Sequence, residues 1–298
     1  VGATFYYSNV VELFVSCGKG VVLSADPPTS PDPQIFHGGM YMVRGSSDGI
    51  YKSIAGSGPL QGTFVNLNQT VRVWWGITCA ASGHVYASVN GTGIYKQTNG
   101  VGDFVFHSSQ MFAGAMASAP NGDVYSIDQE NGGYIWKSVN DGVFTSIPGT
   151  AKLWTNICAA PNGDIYIAET SPVSGGDIWK YSGGVLTALG QTIQHWSGLA
   201  ADKYGNIYAC KGIDGGAGGA GIYVRYSGIG DFIQINSLVR DWYAMAAAPT
   251  GEIYCGMFYA YPGIPTTDQG IYRKYGSGSF NVEDSTYGNI FSMAIKQF

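Results

Sequence analysis

The chain has 298 residues; 45 of them are Gly, only 12% are charged, and the formal net charge is −5. That balance speaks against nucleic acid, which is bound mainly through Lys and Arg, and against a helical protein, which would be richer in Glu, Lys, Leu and Ala. No apolar run approaches the roughly 20 residues needed to cross a bilayer, so no membrane insertion is expected; the abundance of Gly, Tyr, Ser, Thr and Val points instead to short strands and tight turns.

The chain starts at Val1 rather than Met, which favours an exported or processed protein or a piece of a larger one. Residues 1–37 hold an apolar hairpin-like stretch, Glu12 to Ser24, and then a proline-rich linker, Asp26 to Pro33. This segment reads as an extra hairpin packed on the main body, as an arm that attaches the protein to a larger assembly, or as a degenerate additional repeat.

Residues 38–298 are a repeat. Gly-x-(Ile/Val/Met)-Tyr ends at Tyr41, Tyr86, Tyr125, Tyr166, Tyr208 and Tyr254, at separations of 45, 39, 41, 42 and 46 residues. A four-stranded propeller blade takes about 40–50 residues. A second signature, Ile-(Tyr/Trp) and usually Lys or Arg, follows each first one: Ile50-Tyr51-Lys52, Ile94-Tyr95-Lys96, Ile135-Trp136-Lys137, Ile178-Trp179-Lys180, Ile222-Tyr223 and Ile271-Tyr272-Arg273. A third precedes the Gly: an aromatic, small apolar residues and a turn, as in Trp154 to Pro161, Trp196 to Lys203 and Trp242 to Pro249. The third copy keeps only Met116 to Pro120 of it.

Each copy predicts four strands, a to d. In the fourth copy strand a is Asn156 to Ala160, strand b Asp164 to Ala168, strand c Asp177 to Lys180 and strand d Val185 to Leu189. Between a and b, Pro161-Asn162-Gly163-Asp164 has hairpin-turn chemistry. Small residues in strand a suit the crowded centre of a ring. Tyr, Trp and Ile farther out suit the gaps between blades, so the repeated aromatics read as core. The fold expected is all-β: a six-bladed β-propeller of four-stranded antiparallel blades. One strand a is left over, Phe291 to Ile295, and the first copy begins at strand b, so the C-terminal strand should close the ring by joining the first blade.

Cys17, Cys79, Cys158, Cys210 and Cys255 show no CxxC spacing. Four of them stand where other copies carry Ala, Ser or Thr, and they read as small core fillers rather than disulfide or metal cysteines. No metal and no cofactor are expected.

Ala160 to Glu169, with its sister Asp202 to Tyr208, resembles the NHL-type propeller repeat. The pairing of Pro-Asn-Gly-Asp-Ile-Tyr with Ile-Tyr-Lys is similar to tachylectin-type propeller lectins. The resemblance covers about residues 38–298 and implies a ring of blades closed by a C-terminal inner strand. The lectins' sugar-contact residues do not transfer here, because the connecting loops differ.

The b–c and d–a loops should emerge on one face and are the irregular part of the repeat. Phe258 to Gln269 is long and aromatic; it reads as a surface for sugar rings or protein partners, or as a cover over the channel. Candidate ligand-binding residues on this face are Arg72, Asp128, Lys152, Glu169, His195, Lys211, Arg240, Asp241, Tyr243, Tyr259 and Tyr261. Their charges would form a polar ring around the axis or a scattered solvated rim. No catalytic residue is assigned: the four His stand at different repeat positions, and no Gly-x-Ser-x-Gly turn occurs. Asp128 and Glu169 are the best carboxylate pair for a glycosidase.

The function expected is a non-catalytic extracellular or virion-surface recognition module. Its partner would be a glycan or a cell-surface receptor, as for a phage or virus attachment protein or a secreted lectin. The alternatives are a propeller enzyme of glycoside hydrolase or lactonase type, and a structural virion decoration or scaffold protein.

Overall fold

The structure is a computed structural model that describes residues 39–44, 49–53, 64–110, 113–128, 133–169, 175–191, 194–212, 221–238, 240–258, 270–276, 278–285 and 288–295. The arm and linker expected over residues 1–37 lie outside the described residues. So do Tyr259 and Tyr261.

Six four-stranded sheets form the ring, and every pairing within them is antiparallel. Within each blade the strands lie side by side in the order a, b, c, d. The inner strands a of blades 2 to 6 are Trp74–Cys79, Ala113–Ser118, Trp154–Ala159, Trp196–Ala201 and Trp242–Ala247. Blade 1 takes its inner strand, Ile290–Ile295, from the far end of the chain, where Ala294 pairs with Tyr41 and Met293 with Met42. The ring closure read from the leftover strand is therefore the observed one.

Strand a starts earlier than its small residues suggest. In the fourth blade the aromatic Trp154 is its first residue and pairs with Glu169. The a–b turn forms as its residues dictate: Gly163 takes φ +87°, and the Asn162 Oδ1 accepts the Asp164 N–H at 3.0 Å. The turn carbonyl of Ala160 accepts the Gly163 N–H at 2.9 Å.

The hydrophobic core is divided into six clusters, each between neighbouring blades. Between blades 5 and 6, for example, Ile222, Val224 and Cys210 meet Trp242, Met245 and Tyr272. The first residue of strand a is a nearly fully buried Trp in blades 2, 4, 5 and 6. Trp242 sits edge-on to Tyr272 at 4.9 Å, and Trp196 edge-on to Tyr223 at 5.2 Å. These are the aromatics of the repeat acting as packing, at ring separations where such pairs are favourable. Cys79, Cys158, Cys210 and Cys255 are buried, and among the described residues none is in a disulfide. Burial pushes the Cys158 thiol far above its ordinary value, which makes it an inert filler.

Candidate functional site

A propeller has two faces. The b–c and d–a connections lie on one, here called the loop face, and the a–b and c–d turns on the other. The charged residues expected on the loop face are placed by the end of strand b and by the approach to strand a. They pair within their own blades.

Lys152 stands two residues before Trp154. Its ammonium lies 3.1 Å from Glu169 Oε1 and 4.2 Å above the Trp179 ring. Glu169 also accepts the Trp179 indole N–H at 2.7 Å. Blade 3 repeats the theme: Asp128 accepts the Trp136 indole N–H at 2.8 Å and the Gln110 amide at 3.2 Å. Blade 5 inverts the charge, with Lys211 donating to Gln194 Oε1 at 2.8 Å. Arg72 covers the Tyr95 ring at 4.4 Å, and Arg240 donates from Nε to the Tyr272 hydroxyl at 3.3 Å. His195 is partly buried directly before the inner strand of blade 5. Asp241 lies beside the backbone of Gly212 in the adjoining blade.

The structure thus brings Lys152 and Glu169 together and ties Asp128, Lys211 and Arg72 to neighbours in their own blades. Among the described residues no hydrogen bond or ion pair links Asp128 to Glu169. Both carboxylates are anchored by an indole of strand c, a contact that orients the third strand of the blade.

What gathers at the axis is a different set of side chains. In every blade the register of strand a against strand b shifts near its second residue. Such a bulge re-aims one side chain out of the sheet's alternation. The six residues at the second position are Phe291, Trp75, Gly114, Thr155, Ser197 and Tyr243, from blade 1 to blade 6. They divide by blade. Blades 6, 1 and 2 carry aromatics in contact: Tyr243 to Phe291 at 6.0 Å and Phe291 to Trp75 at 5.1 Å. Phe258, just after strand b of blade 6, stacks on Tyr243 at 4.8 Å and meets Phe291 at 4.6 Å. Blades 3, 4 and 5 carry Gly114, Thr155 and Ser197. The Thr155 hydroxyl donates to the Trp196 carbonyl at 2.9 Å, and the Ser197 hydroxyl to the Trp242 carbonyl at 2.6 Å, each in the next blade.

The loop-face mouth of the axial channel therefore has an aromatic half and a hydroxyl half. All four aromatics are half-buried. Burial pushes the Tyr243 phenol up to about 12, with the Asp241 carboxylate adding to the effect, so Tyr243 is a neutral hydroxyl at physiological pH. The Trp75 indole N–H is shielded from solvent and has no acceptor among the described residues. Tyr243 is on the list of residues expected from the sequence; Trp75, Thr155, Ser197 and Phe291 are not. They share one column of the repeat, and that column alone runs from Trp to Gly.

Below the mouth, the channel holds a cavity of about 100 Å³ lined by the last three residues of all six inner strands. Its walls are apolar or small apart from Thr78 and Ser118, whose hydroxyls bond across blades at 3.1 Å. On the opposite face, Asp141 of blade 3 reaches into blade 2. It binds Lys96 at 2.7 Å and the Tyr86 hydroxyl, with His84 at 3.9 Å and His107 at 4.0 Å. No group of three or more His, Cys, Asp or Glu among the described residues is placed to hold a metal ion.

The fold and this mouth define the class: a six-bladed β-propeller with a differentiated loop face. No protein-family model matches the chain. No curated protein matches it. Solved propellers do. TolB from Acinetobacter baumannii is similar at a TM-score of 0.63 and 13% identity, over 88% of this chain and 67% of that one. A catalytically inactive virginiamycin B lyase from Staphylococcus aureus, solved with quinupristin, is similar at 0.54 and 13%, over 83% of this chain and 85% of that one. A putative gluconolactonase is similar at 0.50 and 14%, over 70% of this chain and 76% of that one. At these identities the likeness is one of fold.

Proposed function

We propose that this chain is a non-catalytic recognition module that binds a glycan or a cell-surface receptor through its loop face, on a virion or outside the cell. The observation that carries the reading is the mouth of the channel. Four of the six blades open strand a on a buried Trp, and at the next position the six blades diverge into an aromatic and a hydroxyl half. A scaffold that only filled space would have no reason to sort aromatics and hydroxyls at that position onto opposite sides of the ring. Aromatic residues with adjacent hydroxyls are the chemistry of recognition surfaces. The charged candidates support the same reading from the other side: Lys152, Glu169, Asp128 and Lys211 are engaged in holding strands, and a group so engaged is poorly placed to cycle a proton.

The test is binding of the whole chain to a glycan array and to intact cells at high protein concentration. Saturable binding to a defined set of glycans or to one cell type is expected. Absence of binding to both would overturn the reading.

A further inference from the structure

Resting on that recognition reading, we infer that the aromatic half-ring of Trp75, Tyr243, Phe258 and Phe291 seats one uncharged pyranose ring, with Thr155 and Ser197 facing its hydroxyls. Two observations converge. The first is shape of chemistry. A pyranose has a face of C–H groups and an edge of hydroxyls. An aromatic wall and a hydroxyl wall across one mouth complement both, since aromatic faces take apolar C–H surface and the opposite wall supplies acceptors.

The second is charge. The residues of the seat, Trp75, Tyr243, Phe258, Phe291, Thr155 and Ser197, carry no charge, and Lys152 beside the mouth is paired with Glu169 at 3.1 Å. A carboxylated or sulfated sugar would need a cation in the seat itself. Tyr243, held neutral, presents a phenol rather than a phenolate.

The probes are methyl glycosides of glucose, galactose, mannose and N-acetylglucosamine, with a methyl sialoside as the charged control. Ligand-observed saturation-transfer NMR on the full chain should show contact for at least one neutral glycoside. It should be strongest at the C–H protons of one ring face. The indole N–H resonance of Trp75, assigned by its loss in Trp75→Leu, should shift on binding. Trp75→Leu and Phe258→Leu should each weaken binding by about fivefold to tenfold, without a large change in melting temperature.

Preference for the sialoside would overturn the uncharged assignment. Glycan binding on the array that persists in folded Trp75→Leu and Phe258→Leu would overturn the seat while leaving the recognition reading in place. If either variant fails to fold, the wild-type contact map and indole shift still decide: a bound glycoside that leaves the Trp75 resonance unmoved overturns the seat. A chain that binds neither glycan nor cell fails both statements at once.

Discussion

Asp141 shows how this ring compensates for a missing residue. The residue before strand b is Asp123 in blade 3 and Asp164 in blade 4, and each binds the Lys of its own strand c, Lys137 at 2.7 Å and Lys180 at 2.9 Å. In blade 5 the same column holds Asn206, and the basic partner is also gone, replaced by Val224. In blade 2 the column holds His84 while Lys96 remains, and Asp141 supplies the carboxylate from the next blade. Burial pushes Asp141 upward, but the hydrogen bonds from Lys96 and Tyr86 and the Lys96 charge outweigh it and hold its carboxyl below the ordinary 3.8. A carboxyl lowered on folding adds stability above its ordinary value, and that stability is lost as pH falls through the folded value. Asp164 is lowered likewise, through Ser182, Lys180 and Asn162 acting against burial. Asp141→Asn is therefore expected to cost about 1–2 kcal/mol at neutral pH, and its melting temperature should approach that of wild type as pH drops below 3.8. A difference that stays constant down to acid pH would show that packing, not charge, is responsible.

None of that cross-blade pairing is legible in the sequence. The Asp–Lys association inside blades 3 and 4 can be seen as a covarying column, yet the rescue by Asp141 depends on where a c–d turn of one blade meets the side of another. The same holds for the rim: the repeat assigns Glu169 and Asp128 to the end of strand b, but the indoles of Trp179 and Trp136 that they bind emerge only from the register between strands.

At the scale of the element, the inner strand decides both packing and site. Its first and third residues are set by crowding. A Cβ on Gly198 would lie 2.4 Å from the Tyr243 carbonyl oxygen and 2.7 Å from Cys210 Sγ, and one on Gly76 would lie 2.2 Å from the Gly114 carbonyl oxygen. Backbone oxygen cannot yield as a flexible side chain can. Gly198→Ala should thus destabilise the chain by about 1–3 kcal/mol or more through overpacking, measured by chemical denaturation. In contrast Gly205, at φ +80° with open space around its Cβ position, should cost about 1 kcal/mol on replacement by Ala, from backbone strain alone. Equal effects at the two sites would contradict the crowding of the inner strands. The sequence reading finds these strands by their small residues but misses their second position. Strict alternation assumes an unbroken pleat, and the bulge inserts one residue into it, so Trp75, Thr155, Ser197 and Phe291 acquire an orientation that period-two reasoning assigns elsewhere. Tyr243 alone of this column is among the candidates read from the sequence.

At the scale of the whole molecule, the ring stands or falls on one strand. Ile290–Ile295 contributes Ile290, Met293 and Ile295 to the cluster between blades 6 and 1, and Ala294 to the cluster between blades 1 and 2. The Ser292 hydroxyl accepts the Ile77 N–H at 3.2 Å across the seam to blade 2. Fully burying three such aliphatic side chains is worth about 1.5–3 kcal/mol each, together comparable to the roughly 5–15 kcal/mol of net stability a domain possesses. Their loss also leaves strand b of blade 1 as an open edge, a template for pairing with another chain. Deleting the last nine residues, 290–298, should consequently abolish cooperative melting or produce aggregates, as followed by circular dichroism and light scattering. The interaction is local enough to be restored in trans: a synthetic peptide spanning residues 288–298, added in excess during refolding, should recover a cooperative transition whose midpoint rises with peptide concentration, because binding to the native ring alone stabilises it by mass action. A truncated chain that melts like the full one, or that ignores the peptide, would mean that closure contributes little and that each blade stands on the contacts of its neighbours alone.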